Sequence, residues 1–376
     1  MIPRRKRSQH APTRRATWVG LGVAAVALVA IAGVAGIVRG TTAQAAPAQA
    51  PVPAVGDNVA SGNLSAVDAA AYWTPQRMAA ARAVQPIAAT EGSAPAAPAV
   101  VDPHSSAGWV PQALGGFQDQ VDGGTNGNAA PDGECYHCAI PFTRYFYFAD
   151  YEQYPTSTVA KVFFTNHGHN YVCSGSVLYT NLVDTAGHCV ANTDGTHLWS
   201  TNVLVCPSYK SGIDPKIGCW AGTNLWTKTA WKTNGSFEWD FGEIVTSTCG
   251  TVNCKPIANV TGFLGYCWGC GYDQNWTALG YPADPPFDGT KIVDCQSQFG
   301  YTDSDGNNQG GPDSASIGCD TTGGTSGGPW IIGWGSSNYL NGHNDWRHTA
   351  QTREMNTPYY DSRWCGLINS AGRPCS

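Results

Sequence analysis

Three short segments of this chain fall in an order that few folds accommodate: Thr185-Ala186-Gly187-His188-Cys189, then Trp239-Asp240-Phe241, then Gly323-Gly324-Thr325-Ser326-Gly327-Gly328-Pro329. They carry one candidate each for a base, an orienting carboxylate and a nucleophile. A serine hydroxyl is a poor nucleophile at neutral pH. It needs an imidazole to take its proton and a buried carboxylate to hold that imidazole in the right tautomer. The stretch Gly324-Thr325-Ser326-Gly327-Gly328 also fits the G-x-S-x-G elbow of an α/β sheet, but that fold places its acid and its histidine after the serine. Only 50 residues follow Ser326, too few for the remainder of such a fold. Separations of 52 residues from His188 to Asp240 and 86 from Asp240 to Ser326 suit instead a histidine on one β-barrel and a serine on a second.

The amino-terminal 45 residues read as a targeting segment. Arg4, Arg5, Lys6, Arg7, Arg14 and Arg15 precede an apolar run from Trp18 to Val38, and Ala43-Gln44-Ala45 offers a signal-peptidase site. The apolar run is 21 residues, long enough to serve as an uncleaved membrane anchor as an alternative. Thr13-Arg14-Arg15 is a weak twin-arginine signal. Export agrees with the fourteen cysteines, all of which lie between Cys135 and Cys375; an even, abundant set in an exported chain reads as disulfides. Cys135-x-x-Cys138 with Cys267-x-x-Cys270 also has the spacing of a zinc ribbon. Pairs local in sequence, Cys249 with Cys254 and Cys365 with Cys375, are the expected bridges. Removing residues 1–45 takes away seven cations and no acids, moving the formal charge from −6 to −13. So acidic a chain carries no electrostatic footprint for nucleic acid.

Residues 41–60 hold seven alanines and three prolines and read as a linker. Residues 65–85 look more ordered, with Thr74-Pro75 as N-cap and first-turn proline of a short helix through Met78. Residues 91–134 return to Pro, Gly, Ala and Asp. This divides the chain into a leader at 1–45, a pro-segment and linker at 46–134, and a folded unit at 135–376, a size routine for one double-barrel domain. Within that unit, runs such as Val159-Ala160-Lys161-Val162-Phe163-Phe164 and Val172-Cys173-Ser174-Gly175-Ser176-Val177-Leu178 predict strands, punctuated by turns such as Asn166-His167-Gly168 and Asp303-Ser304-Asp305-Gly306.

The order and flanks of the three segments resemble the chymotrypsin-like serine proteases, and within them the secreted trypsin-like peptidases of actinobacteria, which are similar to bacterial glutamyl endopeptidases. The resemblance covers nearly all of 135–376. It is densest at 159–190, 237–246, 279–296 and 317–331, and it includes the tract Gly280-Tyr281-Pro282-Ala283-Asp284-Pro285-Pro286-Phe287-Asp288-Gly289. Ahead of the unit, Tyr72-Trp73-Thr74-Pro75-Gln76-Arg77-Met78 is similar to a pro-segment motif of the same family. The resemblance implies an all-β fold of two six-stranded antiparallel barrels with the site in the cleft between them. It implies His188 as base, Asp240 as orienter, Ser326 as nucleophile, the amides of Gly324 and Ser326 as an oxyanion hole, and a bridge between Cys173 and Cys189. Thr325 departs from animal-type trypsins, whose aspartate at that place pairs with a new amino terminus, so activation by an inserted terminus is not expected. Val183-Asp184 departs from the apolar pair usual before the histidine turn; Asp184 perturbs His188 or faces solvent.

Asp194 and Asp214 compete with Asp240 from more polar turns, and Glu243 is expected to be a solvated strand residue. Three residues are candidates for a specificity pocket. Asp320, six residues before the nucleophile, would favour a basic side chain, and His343 with Asn344 would favour glutamate. His167-Gly168-His169 lacks a nearby carboxylate, and the run from Asp303 through Asp305 and Asn307 has Asn308 and Ser314 where a calcium loop needs Gly and Glu. No metal and no cofactor are expected. The expected partner is a protein or peptide substrate of a monomeric, secreted enzyme, with membrane contact only if the leader is retained. A catalytically silent binding protein and an esterase-like hydrolase on the same fold are the rival readings.

Overall fold

A computed structural model describes residues 57–84, 88–89, 106–107, 120–121 and 140–375 apart from 148–149, 195, 305–309 and 349–350. The leader at 1–45, Cys135, Cys138 and the loop residues Asp305, Asn307 and Asn308 lie outside the described residues.

The strand Val159–Asn166 shows how local pattern becomes packing. Ala160, Val162 and Phe164 point into one buried cluster with Cys173, Val177 and Val183, while Val159 and Phe163 join another with Trp73 and Tyr209. Alternate residues of a strand face opposite sides, so both faces are apolar because both are covered. At its end His167 and Gly168 take positive φ values of 48° and 73°, the twist of a two-residue hairpin, and return the chain into His169–Tyr179. From there each strand pairs antiparallel with the next around a ring: Leu182–Ala186, Phe241–Thr246, Trp220–Lys228, Thr201–Pro207 and back to Val159–Asn166. Six strands close a barrel, leaving no free edge within the ring.

The second sheet runs in the order Glu354–Thr357, Ser314–Gly318, Val293–Asp303, Asn275–Gly280, Pro329–Ile332, Tyr339–His343 and Gly265–Trp268. Its path stays open among the described residues. The long Val293–Asp303 strand shifts register between Phe299 and Tyr301, which lets it pair with Phe142–Phe146 and Asn275–Gly280 along one half and with Ser314–Gly318 along the other. The carboxy-terminal helix Ser362–Ser370 sends Trp364, Leu367 and Ile368 into the same buried cluster as Phe241, and Trp364 stacks on Tyr360 with ring centroids 4.6 Å apart. The result is a mostly β protein of two sheets with few helices.

Residues 57–84 belong to this body. Ser65 and Thr74 cap the helices Ala66–Tyr72 and Pro75–Ala79, with Pro75 in the first turn.

Candidate active site

His188 stands on a single turn, Gly187–Val190, that follows Leu182–Ala186 directly. Asp240 closes the short helix Phe237–Trp239 and precedes Phe241–Thr246. The two strands pair with Phe241 opposite Ala186, so the register alone brings Asp240 beside Gly187. The Gly187 amide donates to the Asp240 carbonyl at 2.9 Å and the His188 amide to Oδ1 at 2.7 Å. Asp240 Oδ2 then meets His188 Nδ1 at 2.7 Å. A β-carbon on residue 187 would sit 2.5 Å from Asp240 Oδ1, so only glycine permits this approach. The carboxylate is fully buried and fixes the ring with the proton on Nδ1, leaving Nε2 as the basic atom.

Ser326 lies in the turn between Ser314–Gly318 and Pro329–Ile332. Ser174, two strands ahead of His188, ties this turn to the barrel. Its amide donates to the Ser326 carbonyl at 2.7 Å, its hydroxyl donates to the Gly324 carbonyl at 2.9 Å, and that hydroxyl accepts from the Tyr281 amide at 2.8 Å. On the far side, the Gly327 amide donates to the Asn344 carbonyl at 2.7 Å. Gly324 has φ +93°, which L side chains resist, and its amide points at the carbonyl of Val84, 3.0 Å away. Ser326 is fully buried. Its Oγ has no hydrogen-bond partner, and neither has His188 Nε2, so these two atoms are not bonded to each other in this form. Cys173 and Cys189 are joined by a disulfide of 2.02 Å that straps the turn bearing His188 to the strand bearing Ser174.

A second carboxylate enters the site. Asp345 is fully buried, with Oδ1 3.3 Å from His188 Nδ1, on the other side of the imidazole's bond to Asp240. Burial and the neighbouring Asp240 charge push its pKa well above the usual carboxylate range. Sequence reasoning missed it; Asn344-Asp345-Trp346 reads as an ordinary polar turn, and only the return of Tyr339–His343 alongside Pro329–Ile332 brings it here. Burial pulls the His188 pKa down, but the Asp240 charge and hydrogen bond, with a contribution from Asp345, outweigh it and lift the imidazole to about 10.

The remaining candidates are placed as follows. Asp214 caps its own turn through the amides of Lys216 and Ile217, and Asp194 pairs with His167 at 2.6 Å on the surface. Asp320 is paired with Arg144. His343 is buried with Nδ1 2.7 Å from the Tyr360 hydroxyl, and Asn344 donates to the Leu279 carbonyl and accepts from Trp330 Nε1. Asp320 Oδ1 and His343 Nε2 have no hydrogen-bond partner, whereas both polar atoms of the Asn344 side chain are bonded.

Two expectations are corrected. Glu243 is buried, not solvated, because the barrel register sets it opposite Asp184 on the face covered by Tyr360 and Trp364. Asp184 does not face solvent: it accepts from the Tyr360 hydroxyl at 2.7 Å and from Trp364 Nε1 at 2.8 Å. A zinc ribbon also fails, since Cys267 and Cys270 are bonded to each other and offer no thiolate. Bridges likewise join Cys206 to Cys219, Cys249 to Cys254, Cys295 to Cys319 and Cys365 to Cys375.

No protein-family model matches the chain. Among curated proteins it is similar to an extracellular metalloprotease of Bacillus subtilis (strain 168), 27% identical over 113 residues, which are 30% of this chain and 33% of that one. The match therefore spans about a third of that relative's length. Among solved structures it is similar to the thermostable serine protease AL20 from an extremophilic microorganism, with TM-score 0.52 and 30% identity over 57% of this chain and 96% of that one. It is also similar to the protease Anisep of Arthrobacter nicotinovorans, with TM-score 0.51 and 32% identity over 57% of this chain and 95% of that one. A closed six-stranded barrel joined to a second β-sheet, and likeness along nearly the whole of two such proteases, place the chain among the trypsin-like bacterial serine proteases of chymotrypsin-like fold.

Proposed function

We propose that the chain is an exported, monomeric serine endopeptidase that cleaves peptide bonds through His188, Asp240 and Ser326, with residues 135–376 as its catalytic unit. The observation that carries this reading is the His188–Asp240 pair, buried and held at 2.7 Å by two backbone contacts, with the adjacent Cys189 Sγ 3.7 Å from the carbonyl of a serine whose Oγ has no partner. Nε2 of a neutral His188 takes the Ser326 proton as Oγ attacks the substrate carbonyl. The amides of Gly324 and Ser326 receive the developing oxyanion. His188 returns the proton to the leaving amine, and a water deprotonated by the same nitrogen then hydrolyses the acyl-enzyme. Six disulfides among the described residues favour an oxidising compartment.

The Bacillus relative's name raises metal-dependent cleavage. Among the described residues two clusters have ligand spacing, Cys173 with His188 and Cys189, and His188 with Asp240 and Asp345. The first has spent both sulfurs on each other. In the second a cation would have to displace the His188–Asp240 hydrogen bond. The donor set therefore fits hydrogen-bonded acid–base chemistry better than a metal ion.

The test is peptide-library cleavage by the purified secreted form beside Ser326→Ala, with and without a chelator. Loss of about 10⁴–10⁶-fold in kcat is expected from removing the nucleophile, with no effect of chelation. Undiminished cleavage by Ser326→Ala, or abolition by the chelator, would overturn the reading.

A further inference from the structure

One buried side chain touches three of the strands that build the candidate site. Tyr360 stacks on Trp364 and meets the ring of Phe241, the residue after Asp240, edge-on with centroids 5.7 Å apart. Its hydroxyl donates at 2.7 Å to Oδ2 of Asp184, which lies on Leu182–Ala186 four residues ahead of His188. His343 Nδ1 lies 2.7 Å from the same hydroxyl oxygen, at the end of Tyr339–His343 and two residues ahead of Asp345. Trp364 Nε1 holds the other oxygen of Asp184 at 2.8 Å. Trp364, Asp184, Tyr360 and His343 thus form one continuous row, and every member is buried. The row ends beside Asp240, whose charge and backbone both act on the His343 ring. Burial holds that ring neutral, its pKa lowered to about 3.

A neutral imidazole carries one ring proton and a phenol carries one, so the row has two possible directions. With Asp184 ionised, Tyr360 donates to it and accepts from Nδ1–H of His343, which leaves a lone pair on Nε2. With Asp184 protonated the order reverses: Asp184 donates to Tyr360, Tyr360 donates to Nδ1, and Nε2 carries the hydrogen. Facing Asp184 are Glu243, Tyr360, Trp364 and His343; Asp345 also acts on Tyr360, and Asp240 and His188 on His343. From this geometry we infer that Asp184, Tyr360 and His343 are positioning residues for the His188–Asp240 pair. The Tyr360 hydroxyl ties the strand leading to His188 to the strand end leading to Asp345, and its ring against Phe241 keeps Asp240 within reach of His188 Nδ1. The inference rests on the proposed roles of His188 and Asp240. On this reading His343 supports the pair and does not line a specificity pocket. A buried hydroxyl bonded on both sides is costly to remove, because both partners are left unsatisfied. Catalytic geometry tolerates little slack: a displacement of about 1 Å can cost about 10² in rate.

Tyr360→Phe in the purified secreted form deletes the hydroxyl and keeps the ring stack. Asp184→Asn, which keeps volume and one acceptor, is the second variant should the first fail to fold. Two quantities are read. One is the exchange of the His188 Nδ1 proton with solvent by NMR, which needs no turnover; the other is kcat and KM on a peptide cut by wild type and not by Ser326→Ala. Tyr360→Phe should exchange that proton at least about tenfold faster and lose about tenfold in kcat with KM within about twofold. Asp184→Asn should shift both in the same direction by less. The acid limb of kcat/KM should also move to lower pH, since a displaced Asp240 stabilises the imidazolium less. Exchange as slow as in wild type overturns the inference. So does faster exchange with kcat unchanged, and so does a rise in KM alone, which would return His343 to the substrate pocket. Faster exchange in a protein without Ser326-dependent cleavage upholds the inference and counts against the serine mechanism instead.

Discussion

Two buried carboxylates face one imidazole, and their partners divide the work. Asp240 accepts from the His188 amide as well as from the ring, whereas neither oxygen of Asp345 has a hydrogen-bond partner. Replacing Asp240 with Asn should lower kcat by about 10⁴, because the amide favours the wrong tautomer of the ring. Asp345→Asn should leave kcat within about tenfold, since Asp345 meets the ring at 3.3 Å whereas Asp240 holds it at 2.7 Å. The two variants differ in pH behaviour as well. Only neutral His188 can accept the Ser326 proton, so activity rises as pH climbs through the imidazole pKa. Asp345 contributes to raising that pKa, and removing its carboxylate should move the acid limb of kcat/KM to lower pH. An unmoved limb would show that Asp345 does not reach the imidazole electrostatically.

At the scale of elements, the contact between the barrel and the carboxy-terminal helix is built on a buried acid pair. Burial raises the pKa of Asp184 to about 7, and burial with the Asp184 charge raises that of Glu243. Folded Asp184 therefore holds a proton that the unfolded chain has released above its ordinary value near 4. Between those two values the native state binds more protons than the unfolded state, so stability falls as pH rises from about 4 to 7. Asp184→Asn should flatten that fall in a series of thermal melts, at the cost of one acceptor for Tyr360 or Trp364. A slope identical to wild type would place the proton elsewhere. The strap between Cys173 and Cys189 closes a loop of 16 residues, and its removal by paired Cys→Ala should cost about 3 kcal/mol by the loop-entropy relation. Chemical denaturation against wild type reads that loss.

Across the whole molecule, the site is a junction. His188 and Asp240 come from the closed barrel, Ser326 and Asp345 from the second sheet, and Ser174 locks the two together by bonding to both Gly324 and Tyr281. The amino-terminal segment touches the same junction from outside, through Val84. A prediction at this scale is that Ser174→Ala lowers both catalytic rate and melting temperature. It strips the Tyr281 amide of its acceptor and frees the Gly324 carbonyl, each loss costing about 1–3 kcal/mol for a buried polar group.

The residues proposed for the chemistry stand out in the chain because they sit in short, strongly constrained stretches. Glycine at 187 and 324 is demanded by close approach and by positive φ, and the order His, Asp, Ser excludes a competing fold. Alternation of apolar residues in 159–166 was enough to predict a strand, since the period belongs to the backbone itself. Asp345, Ser174 and the buried pair of Asp184 and Glu243 could not be read that way. Each gains its meaning from a partner 11 to 180 residues distant, set by strand register and by how the sheets meet. The same holds for Asp320, whose charge looked available until Arg144, 176 residues earlier, was brought against it. Sequence determines which groups a chain owns and which backbone shapes they tolerate; only tertiary structure decides which charges are neutralised, which amides are free, and that the Val84 carbonyl meets the Gly324 amide.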